Sequence, residues 1–124
     1  MSQRVLDVGN CVPDHTALTR FFQTHFPGTT LVRAHGLADA LAELQAHEFA
    51  LVVVNRKLDR DYADGLDVIQ HLKADPAAQH VPMMLITNYP EYQAAAVQAG
   101  CAPGFGKSEL EDPATVARVQ PFLS

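Results

Sequence analysis

The sequence predicts a single α/β domain over residues 1–124, built on an open, doubly wound parallel β-sheet of five strands with helices on both faces. Two observations predict it. Short β-branched apolar segments alternate with longer segments of helical periodicity, and residues 50–54 are apolar without interruption. A continuous apolar run is typical of a parallel strand covered on both faces, and regular alternation of strands and helices favours a doubly wound sheet. A chain of 124 residues is long enough for one core and too short for two.

The predicted strands are marked by their apolar, β-branched residues. They cover residues 4–8, 30–33, 49–55, 83–87 and 102–106. The fifth of these contains Pro103, Gly104 and Gly106, which are unfavourable in a strand interior. Its prediction therefore depends on the alternation of elements and not on its own residues.

The predicted helices carry apolar residues at intervals of three and four. Proline opens three of them, at Pro13, Pro90 and Pro113, where its missing N–H is tolerated. Gly100 is predicted to end the fourth helix in a left-handed conformation, and Pro121 is predicted to weaken the last turn of the fifth. The apolar stripes themselves are Leu18, Phe21 and Phe22; Leu37, Ala40, Leu41 and Leu44; Leu66, Ile69 and Leu72; residues 94–99; and Val116, Val119 and Phe122.

Composition limits the possible functions. The formal charge is −5 and no segment clusters Lys and Arg, so nucleic-acid binding is not expected. No apolar run approaches the roughly 20 residues that span a bilayer, and the beginning of the sequence lacks a signal-peptide pattern. Two cysteines are too few for a disulfide framework. We therefore expect a reduced cytoplasmic protein that does not bind membranes.

The candidate functional site lies where the predicted strands end. In open α/β sheets, ligands bind outside the carboxyl ends of the strands. The residues at these ends that we take as site candidates are Gly9, Asn10, Asn55, Lys57, Thr87, Asn88 and Lys107.

The order of several short motifs points to a known family. Apolar residues 5–8 and 52–55 are followed by Asp64-Gly65-Leu66, Leu85-Ile86-Thr87, Ala99-Gly100-Cys101 and Lys107. Over essentially its whole length, the sequence resembles the receiver domain of bacterial response regulators. The resemblance implies a flavodoxin-like (βα)5 fold with strand order 2-1-3-4-5, and a place in two-component or phosphorelay signalling.

The resemblance also implies a chemistry whose residues are only partly present. In the family, Mg²⁺ assists phosphoryl transfer to an aspartate at the end of the third strand, and two acidic residues after the first strand help to hold the metal. A Thr or Ser and a Lys bind the phosphoryl oxygens; Thr87 and Lys107 match these. Gly9 and Asn10 stand in place of the acidic pair, and Asn55 in place of the aspartate.

These replacements remove the carboxylates on which that chemistry depends. An amide nitrogen is not a nucleophile at neutral pH, so Asn55 cannot form an acyl phosphate. Mg²⁺ requires anionic oxygen ligands, which Gly9, Asn10 and Asn55 do not supply. We therefore predict a degenerate receiver, or pseudo-receiver, that has no catalytic residues, no metal and no cofactor.

Nearby acids are not expected to compensate. Asp7 lies about 6.6 Å back along the first strand, at about 3.3 Å per residue, and so too deep. We expect Asp59, Asp61 and Asp64 to be solvated in the loop after the third strand. The resulting cleft should be neutral to positive. Lys107 is expected to donate to the Asn55 side-chain oxygen, with a non-covalently bound anion as the alternative.

Three functional hypotheses remain. The first is a signalling module, not an enzyme, that acts through protein contacts, possibly as a homodimer through the last two helices and the fifth strand. The second is a small thiol enzyme or redox sensor centred on Cys11, which precedes a helix. The third is a receiver that is phosphorylated at a non-standard residue.

Overall fold

A computed structural model describes residues 3–123 of the chain. Strands and helices alternate through this range. In chain order they are β1 Gln3–Val8, α1 Val12–His25, β2 Thr29–Ala34, α2 Leu37–Ala46, β3 Leu51–Asn55, α3 Gly65–Ala74, β4 Met83–Ile86, α4 Pro90–Gln98 and α5 Pro113–Val119. Short 3₁₀ turns cover Lys107–Glu109 and Gln120–Phe122.

The strands form one parallel sheet in the order β2-β1-β3-β4. β1 lies between β2 and β3, and its register pairs Asp7 with Arg33 on one side and with Val53 on the other. This arrangement confirms the predicted doubly wound fold and its order for the first four strands. The strand order reverses between β1 and β3, because β2 lies on one side of β1 and β3 and β4 follow on the other. The carboxyl ends of β1 and β3 therefore flank the crevice where such folds bind ligands.

The predicted fifth strand, residues 102–106, is not formed as a strand within residues 3–123, and that part of the prediction is wrong. The segment meets β4 in one isolated bridge, between Phe105 and Ile86. Pro103 has no N–H to donate, and the Gly104 N–H donates to the side chain of Gln93 at 3.0 Å instead of to β4. The Gln93 amide in turn donates to the Leu85 oxygen at 3.0 Å. A side chain from α4 thus takes hydrogen bonds that a continuous ladder would need.

Apolar residues cover both faces of the sheet, as the uninterrupted run at 50–54 predicted. Leu51 and Val53 belong to the cluster that β1 and β3 form with α1 and α5. Val52 and Val54 belong to the cluster on the opposite face, with residues of α2, α3 and α4. All four are fully buried. The alternation is that of a strand with side chains on both faces, each packed against helices.

Local capping fixes the helix ends close to where the sequence placed them. Asp64 and Asp112 precede α3 and α5, and each carboxylate accepts a backbone N–H two residues on, at 2.9 Å. Gly100 follows α4 with φ of +101°, the left-handed conformation that favours glycine. α5 ends at Val119, directly before the turn that contains Pro121. None of the helices in residues 3–123 is long and apolar enough to cross a membrane.

Candidate functional site

A cavity of about 250 Å³ opens at the carboxyl ends of β3 and β4. Five of the seven predicted site residues line it, together with Arg56, Ile86 and Tyr89. These five are Asn55, Lys57, Thr87, Asn88 and Lys107. The side chain of Asn10 points elsewhere, and Gly9 takes part only through its backbone. The structure therefore assembles most of the predicted site in one place.

The Asn55 side chain links the end of β3 to two backbone segments. Its Nδ2 donates to the Lys57 oxygen at 2.7 Å and to the Gly9 oxygen at 3.2 Å. A carboxylate has no N–H and could make neither bond. An amide at position 55 therefore has a structural role that an aspartate cannot fill.

Gly9 is required by the conformation and packing of the loop after β1. Its φ is +81°, and a Cβ at this position would lie 2.5 Å from Leu58 Cγ. Its oxygen also accepts the Asp59 N–H at 3.0 Å. The loop after β3 thus packs directly on Gly9, which leaves no room for an acidic side chain.

Lys107 does not donate to Asn55, and that expectation was wrong. Its Nζ instead lies 2.6 Å from Oδ2 of Asp14, in the first turn of α1. Desolvation raises the pKa of Asp14, but the hydrogen bonds from Lys107 and Cys11 and the Lys107 charge outweigh it, so the net pKa lies below the ordinary value. The expected excess of positive charge is therefore compensated at Lys107, though not at Arg56 or Lys57.

Hydrogen bonds hold the rim of the cavity beside β4. The Thr87 hydroxyl oxygen accepts the Tyr89 N–H at 3.2 Å, and Thr87 itself is almost fully buried. Asn88 Oδ1 accepts from the N–H of Ser108 at 3.2 Å and from its hydroxyl at 3.0 Å. These bonds join the loop after β4 to the segment that carries Lys107.

A buried polar cluster that the sequence analysis missed lies beneath the cleft. Asp7 is fully buried; its carboxylate accepts from Asn10 Nδ2 at 2.5 Å and lies 2.7 Å from His15 Nδ1. Burial raises the pKa of Asp7, and the hydrogen bonds with Asn10 and His15 offset part of that rise. An aspartate inside an apolar strand was the available signal. Nothing in the sequence marked His15 on α1, eight residues away, as the partner of Asp7.

The acids of the loop after β3 all have internal partners. Asp59 pairs with Arg33 Nη2 at 3.1 Å, Asp61 accepts the Ala63 N–H at 3.0 Å, and Asp64 caps α3. Within residues 3–123, no group of three or more His, Cys, Asp or Glu side chains is arranged to hold a metal ion. Asp61 and Asp64 are exposed, as expected of a solvated loop, whereas Asp59 is partly buried beside Arg33.

Cys11 lies at the start of α1 beside a carboxylate. Its Sγ donates to Asp14 Oδ2 at 3.2 Å, and Cys11 and Cys101 are both free thiols. Reactive thiolates are stabilised by neighbouring positive charge. A thiolate at Cys11 would face the negative charge of Asp14, so this contact gives no support to the thiol hypothesis.

Aromatic side chains beside the cavity were also missed. The Arg56 guanidinium lies over the Tyr92 ring, 4.2 Å from its centroid, and Lys57 Nζ lies 5.8 Å from the Tyr62 centroid. Tyr62 has φ of +58°, which is uncommon outside glycine. Spacing could not have found the Arg56–Tyr92 contact, because it joins the loop after β3 to α4, whereas Lys57 and Tyr62 lie five residues apart in one loop.

Comparison with known proteins gives matches at the level of structure. No family model and no curated protein sequence matches the chain. The signal receiver domain of a DNA-binding response regulator from Colwellia psychrerythraea is 18% identical, with a TM-score of 0.79 over 97% of both chains. A chemotaxis response regulator of Vibrio cholerae is 16% identical, with a TM-score of 0.74 over 99% of this chain and 100% of its own.

A third similar structure contains a metal. It is the receiver domain of a sensor histidine kinase from Pseudomonas aeruginosa, with magnesium coordinated in its active-site cleft; it is 15% identical, with a TM-score of 0.67 over 94% of this chain and 99% of its own. Agreement over nearly the full length in all three cases confirms the predicted architecture. The chain has the fold of response-regulator receiver domains.

Proposed function

We propose that this chain is a receiver-like signalling module in which side-chain hydrogen bonds determine the shape of the cleft. In this proposal the cleft neither accepts a phosphoryl group nor holds Mg²⁺, and the module acts through contacts with proteins. The observation that carries the proposal is the double hydrogen bond from Asn55 to the backbone oxygens of Gly9 and Lys57.

These two hydrogen bonds connect the backbone segments on either side of the cleft. In the family that the sequence resembles, a metal and an aspartate lie between the ends of the first and third strands. Here the Asn55 amide itself joins Gly9, directly after β1, to the loop after β3. The amide offers no nucleophilic oxygen that would form an acyl phosphate.

The donor set of the cleft does not fit Mg²⁺. No carboxylate lines the cavity, and three acids of the neighbouring segments are already engaged. Asp7 is bound to Asn10 and His15, Asp14 to Lys107, and Asp59 to Arg33. A hard cation would have to displace these partners; Asp59 Oδ1 is buried without a hydrogen-bond partner, but it belongs to a carboxylate that already pairs with Arg33.

The proposed protein contacts include the face formed by α4, residues 102–106 and α5. An open groove of about 430 Å³ runs along it, lined among others by Pro90, Val97, Pro103 and Arg118. Val97 is 45% exposed there. A partly apolar groove with polar edges suits a protein interface, including one between two copies of this chain.

Incubation with acetyl phosphate and Mg²⁺, followed by intact mass measurement, tests the proposal. We expect an unchanged mass, while a receiver domain that carries the usual aspartate, treated in parallel, should gain one phosphoryl group. A gain of mass in this chain would contradict the proposal. Mapping that gain by peptide mass spectrometry would show whether a non-standard residue had been phosphorylated.

A further inference from the structure

We propose that the cavity at the ends of β3 and β4 binds a carboxylate side chain from an acidic segment of a partner protein. This inference rests on the proposed function, because it requires a cleft that is free of metal and phosphoryl group. It assigns a second interaction surface, adjacent to the α4–α5 groove, with which it shares Thr87 and Asn88.

Two cations beside the cavity lack an acidic partner within residues 3–123. Arg56 and Lys57 line the cavity and form none of the ion pairs there. Lys107 differs from them, because Asp14 holds it. Asp64 lies opposite Lys57 in a backbone bridge, but its carboxylate caps α3. The cavity wall therefore carries uncompensated positive charge on a chain whose net charge is −5.

The same cations are held in place by aromatic rings. Stacking over Tyr92 positions the Arg56 guanidinium, whose fork of N–H groups matches a carboxylate. Lys57 extends over Tyr62. Inside the cavity, the Thr87 hydroxyl oxygen accepts the Tyr89 N–H, which leaves the hydroxyl proton to be donated. Preorganised donors of this kind reduce the entropy lost on binding.

The surroundings of the cavity favour a peptide over a free small anion. Three of the four exposed large hydrophobic residues in the described part of the chain lie at this end of the sheet: Val12, Tyr62 and Tyr89. Tyr62 is 71% exposed and has a positive φ. This backbone conformation is unfavourable in energy for a residue other than glycine. Tyrosine and arginine are enriched at protein interfaces. Of the three, Tyr89 lines the cavity, and a peptide would contact it while one carboxylate enters the cavity.

Peptide binding followed by ¹⁵N–¹H NMR tests the inference. The probe is the N-acetylated, C-amidated peptide GEELEG, and its control is GQQLQG. We expect GEELEG to shift the amide signals of Lys57, Thr87 and Asn88, and GQQLQG to shift them little. Lys57→Glu should weaken binding by about tenfold, equivalent to about 1.4 kcal/mol.

Arg4→Glu is the matched control, because it makes the same change in net charge at an exposed position at the opposite end of β1. It should change the dissociation constant by less than about twofold, since screening limits distant charges. Equal weakening by both variants would overturn the inference, as would signal shifts with inorganic phosphate and none with GEELEG. Absence of peptide binding with an unchanged mass after acetyl phosphate would remove this inference alone, whereas a gain of mass would remove the proposed function.

Discussion

The side-chain amide of Asn55 donates a hydrogen bond to the backbone oxygen of Gly9 across 3.2 Å. This bond ties the end of β3 to the end of β1, the two strands between which the crevice of the fold opens. Because Gly9 also accepts the Asp59 N–H, the loop after β3 is closed onto the same oxygen. Two hydrogen bonds thus converge on the Gly9 oxygen and join the ends of β1 and β3.

Replacing this amide by a carboxylate should destabilise the protein. Asn55→Asp removes both donated bonds and places a negative charge against two carbonyl oxygens, so we expect a loss of about 1–3 kcal/mol in the free energy of unfolding. Asn88→Asp is the control, since the Asn88 oxygen acts as an acceptor and an aspartate would keep both bonds; a change within about 0.5 kcal/mol is expected. Urea unfolding at pH 7 measures both variants. Equal losses would contradict the special role of position 55.

The same Asn55→Asp variant should remain unphosphorylated. Gly9 and Asn10 still stand in place of the acidic residues of the family, and the Asn10 side chain is directed at Asp7 and not at the cleft. Without those acids the substituted carboxylate has no site for Mg²⁺ beside it. Intact mass after acetyl phosphate and Mg²⁺ should match that of the untreated variant. Strong labelling would show that a single carboxylate is sufficient.

The Asp14–Lys107 pair predicts a small, acid-sensitive contribution to stability. Since the pKa of Asp14 is lowered by folding, the contribution is present above the unfolded value of 3.8 and is lost as pH falls through the folded value. The two side chains are 35% and 34% exposed. Asp14→Asn should therefore cost no more than about 1 kcal/mol at pH 7, and less at pH 3. Unfolding at both pH values checks this; an unchanged difference at pH 3 would be evidence against the pair.

For the buried carboxylate of Asp7 we expect the opposite pH dependence of stability. Its pKa is raised by burial, so the stability associated with its protonated form is complete below 3.8 and is lost as pH rises through the folded value. His15 from α1 and Arg33 from β2 face the same group and oppose the shift. Asp7→Asn should therefore gain stability relative to the wild type between pH 4 and pH 7. Thermal unfolding across that range measures the trend, and a relative loss as pH rises would refute it.

Gln93, a partly buried residue of α4, is expected to stabilise the edge of the sheet. Gln93→Ala would leave the Leu85 oxygen and the Gly104 N–H without their partner, at a cost of about 1–3 kcal/mol. Gln98→Ala, on the same helix, is the control and should change little. Hydrogen exchange at Gly104 should accelerate in the Gln93 variant and not in the control. Unaltered hydrogen exchange at Gly104 in the Gln93 variant would mean that contacts with β4 alone hold residues 102–106 in place.

Much of the fold could be predicted from local patterns. The uninterrupted apolar run at 50–54 indicated a strand covered on both faces, and helix packing on each side confirms it. Pro90, Gly100 and Pro113 marked helix ends because their backbone restrictions act within one turn. Patterns of this kind depend on neighbours in the sequence, which are visible without a structure.

The errors concern contacts between distant segments. Residues 102–106 were predicted as a strand because a fifth unit completed the alternation. The Gln93 side chain, on α4, instead accepts the Gly104 N–H that a strand would donate to β4. The Lys107–Asp14 pair joins residues 93 positions apart, and the sequence offered Asn55 as a partner on proximity alone. Side-chain competition of this kind is decided by tertiary geometry, to which spacing gives no access.

The Asn55 amide bridges the ends of β1 and β3, and the proposed function holds that the cleft binds neither Mg²⁺ nor a phosphoryl group. A ¹⁵N–¹H NMR spectrum recorded before and after addition of Mg²⁺ with beryllofluoride tests it most directly. The proposed function predicts unchanged amide signals for Gly9, Asn55, Thr87 and Lys107. Saturable, Mg²⁺-dependent shifts of these four signals would contradict it.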